Sequence, residues 1–188
     1  INVAYERCNK KPYSQDKDKR KGPRYFDCSG LVWFCFKHGA GIEIGNSTHD
    51  QPDHIQGLIE QRKQYRKSGK GWWVEKIPAS TPVRNLRRGD IVYNKHHHVV
   101  IYLGKNKEFA ARDYGIPSGP GKFSMSVRTH IFRFHFPDGS GTIKQGVTLT
   151  NKEFNERKKQ ENLIKLSDKT TCTGYCSCAQ CCGKSNGI

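Results

Sequence analysis

Apolar residues along the chain fall into two rhythms, and each predicts a different kind of element. Residues 28–38 carry Leu31, Val32, Phe34, Cys35 and Phe36, an apolar set that covers most of a helix circumference. Asp27 is a good N-cap and Gly39 a stop, so this segment predicts a buried helix of about three turns with Cys28 in its first turn. Residues 52–65 predict a second helix, on the surface, where Ile55, Leu58 and Ile59 share one face. From Trp72 onward the rhythm is that of strands. Residues 72–74, 91–93, 99–103, 109–112 and 126–136 are short β-rich runs, and residues 114–121 form a Gly/Pro loop. A helix followed by a run of strands is the α+β pattern. The runs at 91–93 and 99–103 predict an antiparallel pair joined by a histidine-bearing turn.

After Pro137 the composition shifts to Gly, Ser, Asp and Thr, which marks the end of a compact domain over residues 1–138 and a linker over 139–150. Thr150 and Glu153 form a capping box that opens a connector helix over 151–167, with little apolar face of its own. A Cys-rich tail occupies 168–188. No internal repeat is visible, and no apolar run approaches the ~18 residues of a membrane span. The first residues, from Ile1 to Tyr5, have neither a basic leader nor a long apolar core, which leads us to expect a piece of a larger protein.

A formal net charge of +16 calls for a polyanionic partner. Its sources are scattered over residues 17–24, 62–70, 84–88 and 157–159, and scattered charge steers without specifying. The chain has no zinc-finger spacing, no basic region leading into heptads and no aromatic RNA-binding signature, so nucleic acid is not the expected partner. The anionic polymers of a bacterial wall fit the charge equally well.

Eight cysteines divide unevenly, with Cys8, Cys28 and Cys35 isolated in the first third and five crowded between Cys172 and Cys182. Cys35 reads as a small buried hydrophobe, and Cys8 has no evident role. Cys28 differs, because the first turn of a helix favours a thiolate through free N–H groups and the aligned backbone dipole. Such a nucleophile needs a base, and His96, His97 and His98 stand together at the mouth of a strand. Alternation along the strand puts His96 and His98 on the face of Val100 and Tyr102, and His97 on the other. The competing reading of the triplet is a solvated turn or an adventitious metal site.

The run Asp27-Cys28-Ser29-Gly30-Leu31-Val32 resembles the nucleophile motif of the NlpC-type cysteine peptidases, papain-like enzymes of bacterial cell walls. Arg88-Gly89-Asp90-Ile91-Val92 followed by His98-Val99-Val100-Ile101-Tyr102-Leu103-Gly104 is similar to their histidine motif, and Lys11-Pro12-Tyr13 to their lead-in. The resemblance spans residues 3–136. It implies a papain-like α+β fold with the nucleophile helix packed on an antiparallel sheet. The implied activity is hydrolysis of an amide bond in a peptidoglycan stem, with Cys28 as nucleophile, His98 as base, and Tyr13, Asp27 and Ser29 lining the site. Backbone N–H groups near Cys28 and the Tyr13 hydroxyl would meet the oxyanion. No metal and no cofactor is implied.

One position departs from the resemblance. Where the family carries a polar residue that orients the base, this chain has Ala110, which accepts no hydrogen bond. Three readings stay open: a backbone carbonyl, Glu108 or Asp113 substitutes; the alanine is an engineered change; or activity is lost. The tail from Thr171 to Lys184 offers C-x-C and C-x-x-C spacings suited to zinc or disulfides, and also resembles the opening of the three-aspartate cell-wall domain, here without its acids. Together the two resemblances suggest a hydrolase acting outside the cell at the wall, from a phage tail protein or a Gram-positive secreted autolysin. The alternative is a wall-binding or structural tail module that does not cut.

Overall fold

In the computed structural model the described residues are 1–136. The linker, the connector helix and the Cys-rich tail expected beyond them lie outside the described residues. Four helices, α1 (Asn2–Arg7), α2 (Cys28–Ala40), α3 (Gln51–Gln61) and α4 (Lys63–Ser68), precede six strands. These are β1 (Trp73–Ile77), β2 (Ile91–Asn94), β3 (His98–Gly104), β4 (Lys107–Ala110), β5 (Gly119–Lys122) and β6 (His130–His135). They form one antiparallel sheet in the order β1-β6-β2-β3-β4-β5, the α+β arrangement expected. Among the described residues no helix is long and apolar enough to cross a membrane.

Alternation along β3 divides its side chains between two apolar clusters. Val99, Ile101 and Leu103 join Leu31, Val32, Phe34 and Cys35 of α2 in the larger one, while Val100 and Tyr102 pack with Val92, Ala110, Phe123 and Ile131 on the opposite face. Each fully buried Leu, Ile or Val contributes about 1.5–3 kcal/mol. The helix therefore seats against the middle of the sheet, and β3 runs directly behind it.

Several local expectations need correction. Gly39 lies within α2; the helix runs to Ala40 and ends at Gly41, whose φ of 66° supplies the left-handed cap and whose N–H donates to the carbonyls of Lys37 and Phe36. The single helix expected over 52–65 is two, broken at Arg62. That residue donates from Nε to the Trp72 carbonyl at 3.0 Å, and its guanidinium lies over the rings of Tyr65 and Trp72. Within the expected Gly/Pro loop, Gly119-Pro120-Gly121-Lys122 pairs with β4 as an edge strand. A Cβ at Gly121 would meet Nη2 of Arg112, so a side chain there would need that guanidinium to shift. The run at 126–136 contributes a strand only from His130, and α1 was not anticipated by any periodic pattern.

Cys8 and Cys35 are both buried, their sulfurs 3.9 Å apart where α1 ends against α2. Burial suits Cys35 as a small hydrophobe and gives Cys8 the place the sequence withheld.

Gly30, in the first turn of α2, touches the backbone carbonyl of Arg20, and a Cβ there would collide with it and approach the Asp27 carboxylate. Gly30→Ala is therefore expected to lower the thermal midpoint by roughly 5 °C or more, as overpacking against backbone does. An unchanged midpoint in a thermal melt would mean that the loop ahead of α2 yields.

Candidate active site

Asp27 caps α2 from an extended conformation, φ −93° and ψ 178°. Its Oδ1 accepts from the Gly30 N–H at 2.5 Å and from Ser29 Oγ at 3.0 Å, and its Oδ2 accepts from Arg20 Nη1 at 2.6 Å. Arg20 Nη1 also donates to Ser29 Oγ at 3.1 Å. The polar atoms of Asp27 and Ser29 are thus satisfied within the fold, and both residues are buried. They shape the turn that holds Cys28.

The segment before this turn folds back beside it. The Phe26 N–H donates to the Pro12 carbonyl at 3.2 Å and the Ser14 N–H to the Phe26 carbonyl at 3.1 Å, which sets Tyr13 alongside Phe26. The Tyr13 hydroxyl accepts from Gln15 Nε2 at 3.0 Å, so its own proton is free to donate. Burial and the nearby Cys28 raise the Tyr13 pKa and keep that proton in place.

Behind the turn, Gln51 of α3 is fully buried and donates from Nε2 to the carbonyls of Ser29, at 2.9 Å, and Gly45, at 3.2 Å. Its Oε1 accepts from the Tyr93 hydroxyl of β2 at 3.1 Å. This strut between the sheet and the Cys28 turn escapes sequence reasoning, because a polar residue on a surface-patterned helix gives no sign of burial. Arg20 escapes for a related reason, as one cation within a basic run.

Cys28 is 7% exposed. Burial, and then the Asp27 charge, push its thiol up to about 11, while backbone N–H groups of Val99, Ser29 and Cys28 itself pull the other way. Val99 follows His98 at the start of β3 and lies in the same apolar cluster as Cys28, so the candidate base stands one residue from that shared cluster. Burial and the Arg112 guanidinium lower the His98 pKa. Both groups are therefore uncharged at neutral pH, and no hydrogen bond joins them among the described residues. His97 is exposed, and His96 sits in the β2–β3 turn with φ 70°, its ring against His49 at 4.4 Å. His98 alone of the three begins a strand. Among the described residues no three His, Cys, Asp or Glu side chains are grouped to hold a metal ion.

On its open side His98 borders a hollow with Asn94, Glu108 and residues 124–127. Ala110 is packed into the smaller apolar cluster. Of the acids that could stand in for it, Asp113 is exposed in a turn, whereas Glu108 is buried in the wall of that hollow. Glu108 pairs with Arg112 Nε at 3.3 Å, and burial raises its pKa despite that cation. The site therefore has a carboxylate and a guanidinium near the imidazole where the resemblance predicts one orienting group.

No curated protein sequence matches the chain. Among solved structures, it is similar to the NlpC/p60 domain of the peptidoglycan hydrolase SagA, with 22% identity and a TM-score of 0.48 over 69% of this chain and 92% of that one. It is also similar to Rv1477, a hypothetical invasion protein of Mycobacterium tuberculosis, at 28% identity and a TM-score of 0.41 over 57% of this chain and 42% of that one. NlpC1 from Trichomonas vaginalis matches at 18% identity and a TM-score of 0.46, over 69% and 40% of the two chains. The match thus spans nearly all of the SagA domain and less than half of the other two chains. The NlpC/P60 family profile matches residues 10–124, more than half of the chain, and takes in Tyr13, the Cys28 turn and the His98 strand together. The chain belongs to the NlpC/P60 family.

Proposed function

We propose that this protein is a peptidoglycan hydrolase that cleaves an amide bond in the peptide stem of bacterial cell walls by a Cys28–His98 mechanism. Family membership supports the reaction class. The observation that supports the residue assignment is that the family match takes in both the Cys28 turn and the His98 strand, with Cys28 and Val99, the residue after His98, in the same apolar cluster.

In this mechanism His98, uncharged at neutral pH, takes the thiol proton as sulfur attacks the scissile carbonyl. Backbone N–H groups at the α2 turn and the Tyr13 hydroxyl meet the developing oxyanion. Imidazolium then returns its proton to the leaving amine, and water hydrolyses the resulting thioester. Asp27 and Ser29 hold the turn. Glu108, in the hollow that His98 borders, takes the orienting place that Ala110 leaves empty.

The net charge of +16 suits attraction to anionic wall polymers alongside peptidoglycan. The same reading has the protein acting outside the cell at the wall, as part of a phage tail-associated lysin or a secreted autolysin. A second reading, a wall-binding or structural tail module, is favoured by Ala110 and by the missing hydrogen bond between Cys28 and His98.

Mass spectrometry of purified peptidoglycan after incubation with the protein separates the two. The hydrolase reading expects new stem fragments that vanish with Cys28→Ala and fall by about 10²–10⁴-fold with His98→Ala. Co-sedimentation with walls and no fragments from several peptidoglycan types would favour the binding module.

Because the His98 pKa is lowered from 6.5, the base form persists into mild acid. The rate on a soluble stem peptide is expected to fall with an acid limb whose midpoint lies below pH 6.5. A midpoint above that value would contradict an imidazole held neutral beside Arg112.

A further inference from the structure

The buried ion pair ahead of α2 has a role that the hydrolytic steps do not use. Asp27 puts a carboxylate next to the thiol that must become an anion, and on Coulombic grounds alone this opposes the chemistry. We propose that Arg20 is a positioning residue that locks the Asp27 carboxylate onto the first turn of α2 and cancels its charge beside Cys28. The inference rests on the reading of Cys28 as nucleophile.

Three contacts fix the guanidinium. Nη1 is shared between Asp27 Oδ2 at 2.6 Å and Ser29 Oγ at 3.1 Å, and Nη2 donates to the Asn46 carbonyl at 2.6 Å. The Arg20 backbone is fixed as well, since its carbonyl accepts from the Asp27 N–H at 3.0 Å and lies against Gly30. Its side chain is 16% exposed and that of Asp27 11%, so the pair is screened little by solvent. A planar fork that holds the α2 turn through one nitrogen and the Asn46 carbonyl through the other is a task for arginine more than for lysine.

Among the described residues, the groups around Cys28 leave this pair as its charged neighbours. Tyr13, from the segment paired with Phe26, and Tyr93, from β2, are both held in the protonated form by burial. His98 of β3 is neutral at pH 7, with Arg112 of the β4–β5 connection beyond it. Asp27 is the acid that raises the Cys28 pKa, and Arg20 is the cation bonded to it. Without Arg20, a buried unpaired carboxylate would face the thiolate.

The test is the rate at which iodoacetamide alkylates Cys28 in the full chain between pH 7 and 10, read by mass spectrometry on the peptide containing residue 28. Circular dichroism melts establish that each variant is folded. Arg20→Gln is expected to slow alkylation about tenfold at pH 8, the effect of raising a thiol pKa by about one. Adding Asp27→Asn to Arg20→Gln is expected to restore the rate, because the charge that Arg20 cancels is then gone. Asp27→Asn alone is expected to alkylate faster than the parent, since the guanidinium keeps no carboxylate to offset it. Arg20→Lys keeps the charge and is expected to stay within about threefold.

A folded Arg20→Gln with the parent pH profile would overturn the proposal. So would a double variant as slow as Arg20→Gln, or an Asp27→Asn protein slower than the parent. Alkylation needs no peptidoglycan. A protein that follows this pattern yet releases no stem fragments contradicts the hydrolase reading alone; one that cleaves stems while Arg20→Gln leaves alkylation unchanged contradicts this proposal alone.

Discussion

Burying the Asp27 carboxylate at the mouth of α2 is the constraint on which the rest of the site depends. Taking a carboxylate out of water costs several kcal/mol unless its acceptors are filled, and here Gly30, Ser29 and Arg20 fill them. To do so, the chain before α2 must fold back until the Arg20 carbonyl touches Gly30, a position with no room for a side chain. The same fold-back pairs Pro12 to Ser14 with Phe26 and so sets Tyr13 beside the Cys28 turn. A cap, a glycine and a tyrosine that lie apart in the sequence are thus consequences of one buried charge.

The fields on Cys28 and His98, the proposed nucleophile and base, then oppose ionisation of both. Burial and Asp27 hold the thiol protonated, and burial with Arg112 holds His98 unprotonated. In the proposed mechanism charge separation is deferred to the moment of reaction, when the helix N-terminus stabilises what develops. Glu108 in the wall of the hollow and its partner Arg112 give the imidazole a mixed electrostatic neighbour, where the resemblance implies one polar group on the strand.

Much of this was legible in the sequence where pattern and chemistry coincide. The helix at Cys28 is apolar nearly all round because it is buried nearly all round, and the alternation from Ile91 to Leu103 marks two strands that do pair. The family motifs point to Cys28 and His98, the nucleophile and base of the proposal. Illegible features share a cause: their reasons lie across the fold. β5 is built largely of Gly and Pro, so it reads locally as a loop, and its pairing with β4 is what makes it a strand. Arg62 breaks a helix through rings ten or fewer residues away that periodicity cannot weigh. Gln51 and Arg20 look like solvated polar residues until the Ser29 carbonyl and the Asp27 carboxylate are brought to them.

The most direct test of the account is to look for the covalent intermediate. Acid quenching of the protein with a stem peptide, followed by peptide mapping, should find the acyl half of the substrate on Cys28 as a thioester, together with an equivalent of released amine. Bound stem peptide with no adduct on Cys28 and no released amine would contradict nucleophilic catalysis by this residue and leave a wall-binding fold in its place.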